Sequence, residues 1–210
     1  MKINNVNFYN TNPYKYQRSP VTFKQVIAPK MIYDERNVLT KIIFSEPTGL
    51  KDICDYFMQP TILRQLSFNW RCIRDLQGLK TSKFAETKIK ELIGMGASAL
   101  AFLMENGNVL KITYGKHLRR ELENFDIPVY EQGVLLPNIY YYIEQYADTE
   151  SVTKDEILEL INKIRAMSYE VCDVYDSFWV KNDSVRDFQF GKTPDGKVYL
   201  LDPECAYKGK

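Results

Sequence analysis

Residues 88–113 read KIKELIGMGASALAFLMENGNVLKIT, and the architecture turns on how this stretch is parsed. Lys88 to Leu92 and Ala99 to Met104 read as short strands on either side of Gly94 and Gly96, and Val109 to Thr113 follows after Asn106-Gly107. Asn-Gly accepts the positive backbone φ that a tight hairpin demands, so this dipeptide joins the second run to the third. Three antiparallel strands are predicted. Downstream, Leu118, Leu122 and Phe125 share a helical face, while Val134 to Leu136 and Ile139 to Tyr146 read as two more strands. The expectation is a sheet of five strands with one helix inserted after the third.

Further along, Thr153 with Glu156 three residues later forms a capping box, and Ile157, Leu160, Ile161, Ile164, Met167 and Val171 carry an apolar stripe through the turns that follow. A helix is predicted there. A second hairpin runs from near Phe188 to Gly191 into Val198 to Leu201 around Asp195-Gly196, with Asp202 at its exit. Upstream, residues 1 to about 30 are rich in Asn, Tyr, Lys and Pro without a period, which predicts an irregular arm. Val38 to Phe44 suggests a strand and Leu50 to Met58 a short helix, after which Pro60 opens another helix whose Ile62, Leu63, Leu66, Trp70, Ile73 and Leu76 form one apolar face. The chain divides into an N-terminal arm and helical extension, 1–86, and a second unit, 87–210, itself split into 87–147 and 148–210.

Composition narrows the function. Lys plus Arg total 28 against 27 for Asp plus Glu, a net charge of +1, which argues against a phosphate polymer held by bulk charge and so against nucleic acid as the main partner. The aromatic and basic residues Tyr9, Tyr14, Lys15, Tyr16 and Arg18 in the arm are the only stretch suited to stacking on bases. No run of about 18 apolar residues and no secretory pattern is present, so the expectation is a soluble cytoplasmic protein with no membrane partner. Cys54, Cys72, Cys172 and Cys205 form no C-x-x-C pair and read as reduced core thiols. His117 is the only histidine and lies in a solvated run, which leaves little for a histidine-dependent hydrolase.

Taken together, the segments from Thr87 onward resemble the protein-kinase superfamily. Ile93 to Phe102 is similar to the kinase glycine-rich loop, with Ala99 where the third glycine stands, and Val109-Leu110-Lys111-Ile112 resembles the third strand with its phosphate-binding lysine. Ile139 to Ala147 resembles the fifth strand leading into the hinge, and Lys197 to Glu204 looks like the metal-binding strand of small bacterial, phage and aminoglycoside-type kinases. The resemblance covers about 120 residues. It implies an α+β, protein-kinase-like fold: a five-stranded antiparallel small lobe, a truncated and mainly helical large lobe, and an N-terminal extension packed on them. It also implies ATP and Mg²⁺ as cofactors. Gly94, Gly96 and Ser98 would approach the phosphates, Lys111 would neutralise them with Glu121 as its partner carboxylate, and Glu144 to Tyr146 would meet the base. Asp202 would hold the metal.

Departures from the pattern keep two functions open. Family spacing puts Ser184 where the catalytic base belongs and Gln189 where the second metal ligand belongs, while Arg186 falls where a phosphate-contacting cation often follows the base. Asp187, in a shortened loop, or Asp183, shifted by a one-residue bulge, is available as the base. The chain stops eight residues past Asp202, too soon for an activation segment. One reading is a phosphotransferase acting on a protein hydroxyl. The other is a pseudokinase, a folded module of phage or effector type that binds a host protein without chemistry.

Overall fold

A computed structural model describes residues 29–33, 39–59, 62, 78–95, 99–114, 122, 124–171, 189–202 and 206–208. Its main feature is an antiparallel sheet of seven strands in the order β1-β2-β3-β4-β5-β7-β6. The strands are β1 (Lys30–Tyr33), β2 (Leu39–Gly49), β3 (Lys88–Met95), β4 (Ala99–Met104), β5 (Val109–Tyr114), β6 (Val129–Leu136) and β7 (Ile139–Glu144). At the β4–β5 turn Gly107 has φ 86°, the left-handed value expected of an Asn-Gly hairpin, and the Asn106 side chain accepts from the Asn108 amide at 3.0 Å.

Residues facing each other across the ladders fix what each face carries. Ile42 pairs with Leu92, Leu92 with Phe102, and Phe102 with Leu110, so these side chains share one face and form a continuous buried core. Helix α1 (Leu50–Phe57) covers that face with Leu50, Ile53, Cys54 and Phe57, the i, i+3, i+4, i+7 positions of one stripe. Gly49 offers no side-chain cap, and the first amides of α1 bond instead to the carbonyls of Thr87 and Ala85 at 2.9 and 2.8 Å. Burial first, and then the Asp55 carboxylate, push the Cys54 thiol up to about 12, so it stays protonated, as a reduced core thiol should.

A second core lies beyond the sheet. Helix α2 (Lys154–Ala166) starts at the Thr153/Glu156 capping box read from the sequence. Its Ile157, Leu160, Ile161 and Ile164 pack with Phe190 and Leu200, which belong to the hairpin β9 (Phe190–Lys192) and β10 (Val198–Leu200). A pair of three-residue strands, β8 (Tyr169–Val171) and β11 (Ala206–Lys208), flanks them. Backbone bonds tie this unit to the sheet: Ile127 N–H to Leu200 C=O at 3.0 Å, Leu200 N–H to Phe125 C=O at 2.7 Å, and a reciprocal pair between Asp148 and Lys192, both 2.9 Å.

The expected fold class is overturned. In place of a five-stranded small lobe there are seven strands, because β1 and β2 add to the edge of β3 rather than packing on the sheet as an appendage. The cause is visible in β2: buried Ile42 and Phe44 alternate with half-buried Lys41 and Ile43, a two-faced strand whose inward residues need the core that β3 already lines. Its ladder also satisfies the outer backbone groups of β3. The second unit is likewise not mainly helical among the described residues, where α2 stands beside two small sheets. The stripe expected to run helically to Val171 breaks at Ser168, whose φ is 66°, and Val171 reaches the core from β8 instead. The helices expected over Leu118 to Phe125 and Pro60 to Leu76 fall largely outside the described residues. So do Cys72, Cys172, Cys205 and the arm of residues 1–28.

Since α1 is core and not accessory, Ile53→Ala should lower the unfolding free energy by about 2–5 kcal/mol, read as a drop in the urea midpoint. A midpoint equal to that of the wild type would show that α1 does not stabilise the sheet.

Candidate functional site

The second face of the sheet holds the chemistry. Lys111 on β5 stands opposite Ala101 on β4 and Tyr142 on β7, and Ala101 stands opposite Gly94 on β3. These residues form one row across the face turned away from α1. On the β5–β7 side this face is covered: Val109, Thr113, Tyr142 and Glu144 are all buried. On the β2–β4 side Ala99, Ala101, Leu103, Glu91, Ile43 and Lys41 are only half-buried. Lys111, itself half-buried, marks the border between the two.

The Lys111 ammonium donates to the Leu201 carbonyl at 3.0 Å, a contact between residues 90 positions apart. Asp202 is the next residue along the chain. Leu201 is held from the other side, where its amide donates to the Gln189 carbonyl at 2.8 Å. Gln189 is buried. The backbone approach that permits this depends on Gly191: a Cβ there would lie 2.7 Å from Ala147 Cβ and 3.1 Å from both Leu201 methyl carbons. No rotamer change relieves a contact with a Cβ.

Beyond β7 the chain runs beneath this face. The Gln145 amide donates to the Pro128 carbonyl at 2.9 Å, so of the segment expected to meet a base through its backbone, this N–H is already engaged. Burial, then the Asp148 carboxylate, push the Tyr146 phenol up, while Lys41 pulls it the other way and Glu91 adds to the rise. Tyr146 thus lies near the Lys41–Glu91 ion pair, which closes to 3.4 Å between β2 and β3. Gly94 has ordinary room for a Cβ, 3.5 Å from Ala101 Cβ, so at this position no steric demand for glycine arises within the chain itself.

Of the residues expected to act, Lys111 donates to the carbonyl of Leu201, the residue before Asp202, and Gln189 is one backbone hydrogen bond from Leu201. Gly94 shares the row of Lys111, and Glu144 and Tyr146 follow at the end of β7. Gly96, Ser98, Glu121, Asp183, Ser184, Arg186 and Asp187 lie outside the described residues. Sequence reasoning missed Lys41, Glu91, Gly191 and the Leu201 carbonyl. Only Gly191 carried a signal, as a glycine inside a strand pattern, which marks close backbone approach. The sequence matches no protein-family model and no curated protein. What the face is able to do is therefore read from its chemistry.

As a hard oxygen donor, the Asp202 carboxylate suits Mg²⁺, and Gln189 can add a neutral amide oxygen. The joint below the site is braced by Lys192 on β9, which donates to Glu156 in the first turn of α2.

Two outcomes test this framework. Gly191→Ala should cost about 1–3 kcal/mol by overpacking, visible as a lower melting temperature; an unchanged melting temperature would refute the close approach. The Lys192 ammonium, followed by the Thr153 amide, holds Glu156 down to about 2 from its ordinary 4.5. A depressed carboxylate stabilises fully above its unfolded value and loses that contribution as pH falls through its folded one. The melting-temperature gap between the wild type and Glu156→Gln should therefore shrink as pH falls from about 4.5 to about 2. A gap independent of pH would mean the charge of Glu156 contributes nothing.

Proposed function

We propose that the chain binds a nucleoside triphosphate with Mg²⁺ on the half-open face and transfers its terminal phosphoryl group to a protein hydroxyl. The observation that carries this reading is the hydrogen bond from Lys111 to the carbonyl preceding Asp202. A half-buried ammonium on a central strand is expensive to desolvate, and one neutral carbonyl is a weak return for it. Exchange of that acceptor for a phosphate oxygen gives a charge-assisted bond about twice as strong.

In this reading Asp202 and Gln189 hold Mg²⁺, which supplies neutralisation of the phosphate charge. Lys111 binds and orients the phosphates. Asp187 or Asp183 accepts the proton of the substrate hydroxyl, and Arg186 contacts the transferred group. The setting is the cytoplasm, of the producing cell or of a host, where MgATP is abundant. It is compatible with the described residues, among which no helix is long and apolar enough to cross a membrane. The partner is a protein that carries the acceptor hydroxyl.

A second reading draws on Ser184 and Gln189, which stand where the kinase template has a carboxylate base and an asparagine. Under it the same face binds nucleotide, or a host protein alone, and performs no transfer.

Titration of the melting temperature with MgATP separates these. A ligand that binds only the native state stabilises it by about 2.7 kcal/mol at a hundredfold excess over Kd. The wild type should show a Mg²⁺-dependent rise that Lys111→Ala and Asp202→Ala abolish, together with label transfer from γ-labelled ATP to a protein acceptor. A rise without transfer supports the inactive binding module. No rise in the wild type refutes nucleotide binding altogether.

A further inference from the structure

Strand β2 lies outside the segment that resembles kinases, and it brings a second ammonium to the face of Lys111. Ile43 on β2 stands opposite Glu91 on β3, and Glu91 stands opposite Leu103 on β4. Lys41, two residues before Ile43, projects to the same side, as its 3.4 Å approach to the Glu91 carboxylate requires. The row through Lys111 crosses Ala101 and Gly94, and the rungs Ile43–Glu91 and Ile42–Leu92 bring Lys41, the next residue along β2 and on the same face as Glu91, beside the Gly94 end of that row. Three strand steps separate the two lysines, about 14 Å between backbones. The stems of two lysines readily bridge that span from either side of a ligand. Between them, among the described residues, the row carries only the methyl group of Ala101 and the hydrogen of Gly94.

The ion pair is loose. Lys41 and Glu91 keep 30% and 25% of their side-chain surface exposed, and the 3.4 Å separation is long for a charge-assisted bond. Tyr146 lies within electrostatic reach of both Lys41 and Glu91. A group held this weakly exchanges partners at little cost.

We propose that Lys41 is a second phosphate-contacting residue of the site, parked on Glu91 until a polyphosphate arrives, with Glu91 acting as the internal competitor for it. This rests on the nucleotide reading above and extends it: the polyphosphate is gripped from both ends of the row, by Lys111 and by a strand outside the kinase-like segment. The ligand class is a nucleotide with at least two linked phosphates, and inorganic tripolyphosphate reports on the same contact without the base.

The test is calorimetric titration of the full chain with MgATP and with tripolyphosphate. Lys41→Ala should weaken both about tenfold, Lys41→Arg should retain most of the affinity, and Glu91→Gln should tighten both severalfold by removing the competitor. A purely structural ion pair would move the melting temperature and leave Kd unchanged in all three variants. That result, with Lys111→Ala still abolishing binding, overturns the role of Lys41 while the site stands. Weaker binding by Glu91→Gln also overturns it, since Glu91 would then support the ligand. Absence of MgATP binding by the wild type overturns the site and this role together.

Discussion

A lysine in the middle of a sheet must find an acceptor, and the one it finds sets much of the rest. Lys111 donates to the carbonyl of Leu201, the residue just past β10, whose side chain packs with Ile127, Ala147 and Tyr199. That bond requires β9 and β10 to lie close against the end of β7, which in turn requires the hydrogen at Gly191 between Ala147 and Leu201. It fixes which part of the sheet face is covered and which part stays half-open. Each cross-connection at the joint, from Phe125 and Ile127 to Leu200 and from Asp148 to Lys192, works in the same direction.

The sheet's two faces then divide their tasks. The α1 face carries a continuous apolar core, with Lys83 and Glu131 paired to each other and to the Tyr141 hydroxyl at its margin. The other face mixes buried Val109 and Tyr142 with Lys111, Glu144, Glu91 and Lys41. Charged groups persist on a sheet face only where water, a counter-charge or a ligand meets them.

Period-two patterning with strong turn signals made β3, β4 and β5 legible, and the capping box made the start of α2 legible, because both signals are local. The features that escaped were nonlocal. Lys30–Tyr33 has no marked composition, and it becomes a strand only because β2 offers it a partner. Val171 matched a helical stripe, but a left-handed Ser168 redirected it. The sequence pattern around Lys111 singled it out, and the structure places its ammonium on the Leu201 carbonyl. The Lys41–Glu91 ion pair was not legible, since a lysine and a glutamate on different strands look like ordinary surface until the β2–β3 register brings them to one face.

The clamp at the start of α1 has a consequence for assembly. Strands β2 and β3 are neighbours, yet residues 50–87 separate them, and the register of β2 is pinned by amides of α1 that reach the carbonyls of Ala85 and Thr87. Closing so long a loop carries an entropic penalty that the β4–β5 hairpin, joined by a tight turn, does not face. The nascent sheet therefore grows outward from its hairpins, and the strand bearing Lys41 docks late. During synthesis β2 emerges first and waits, with Ile42 and Phe44 unburied, until the chain beyond Thr87 has been made.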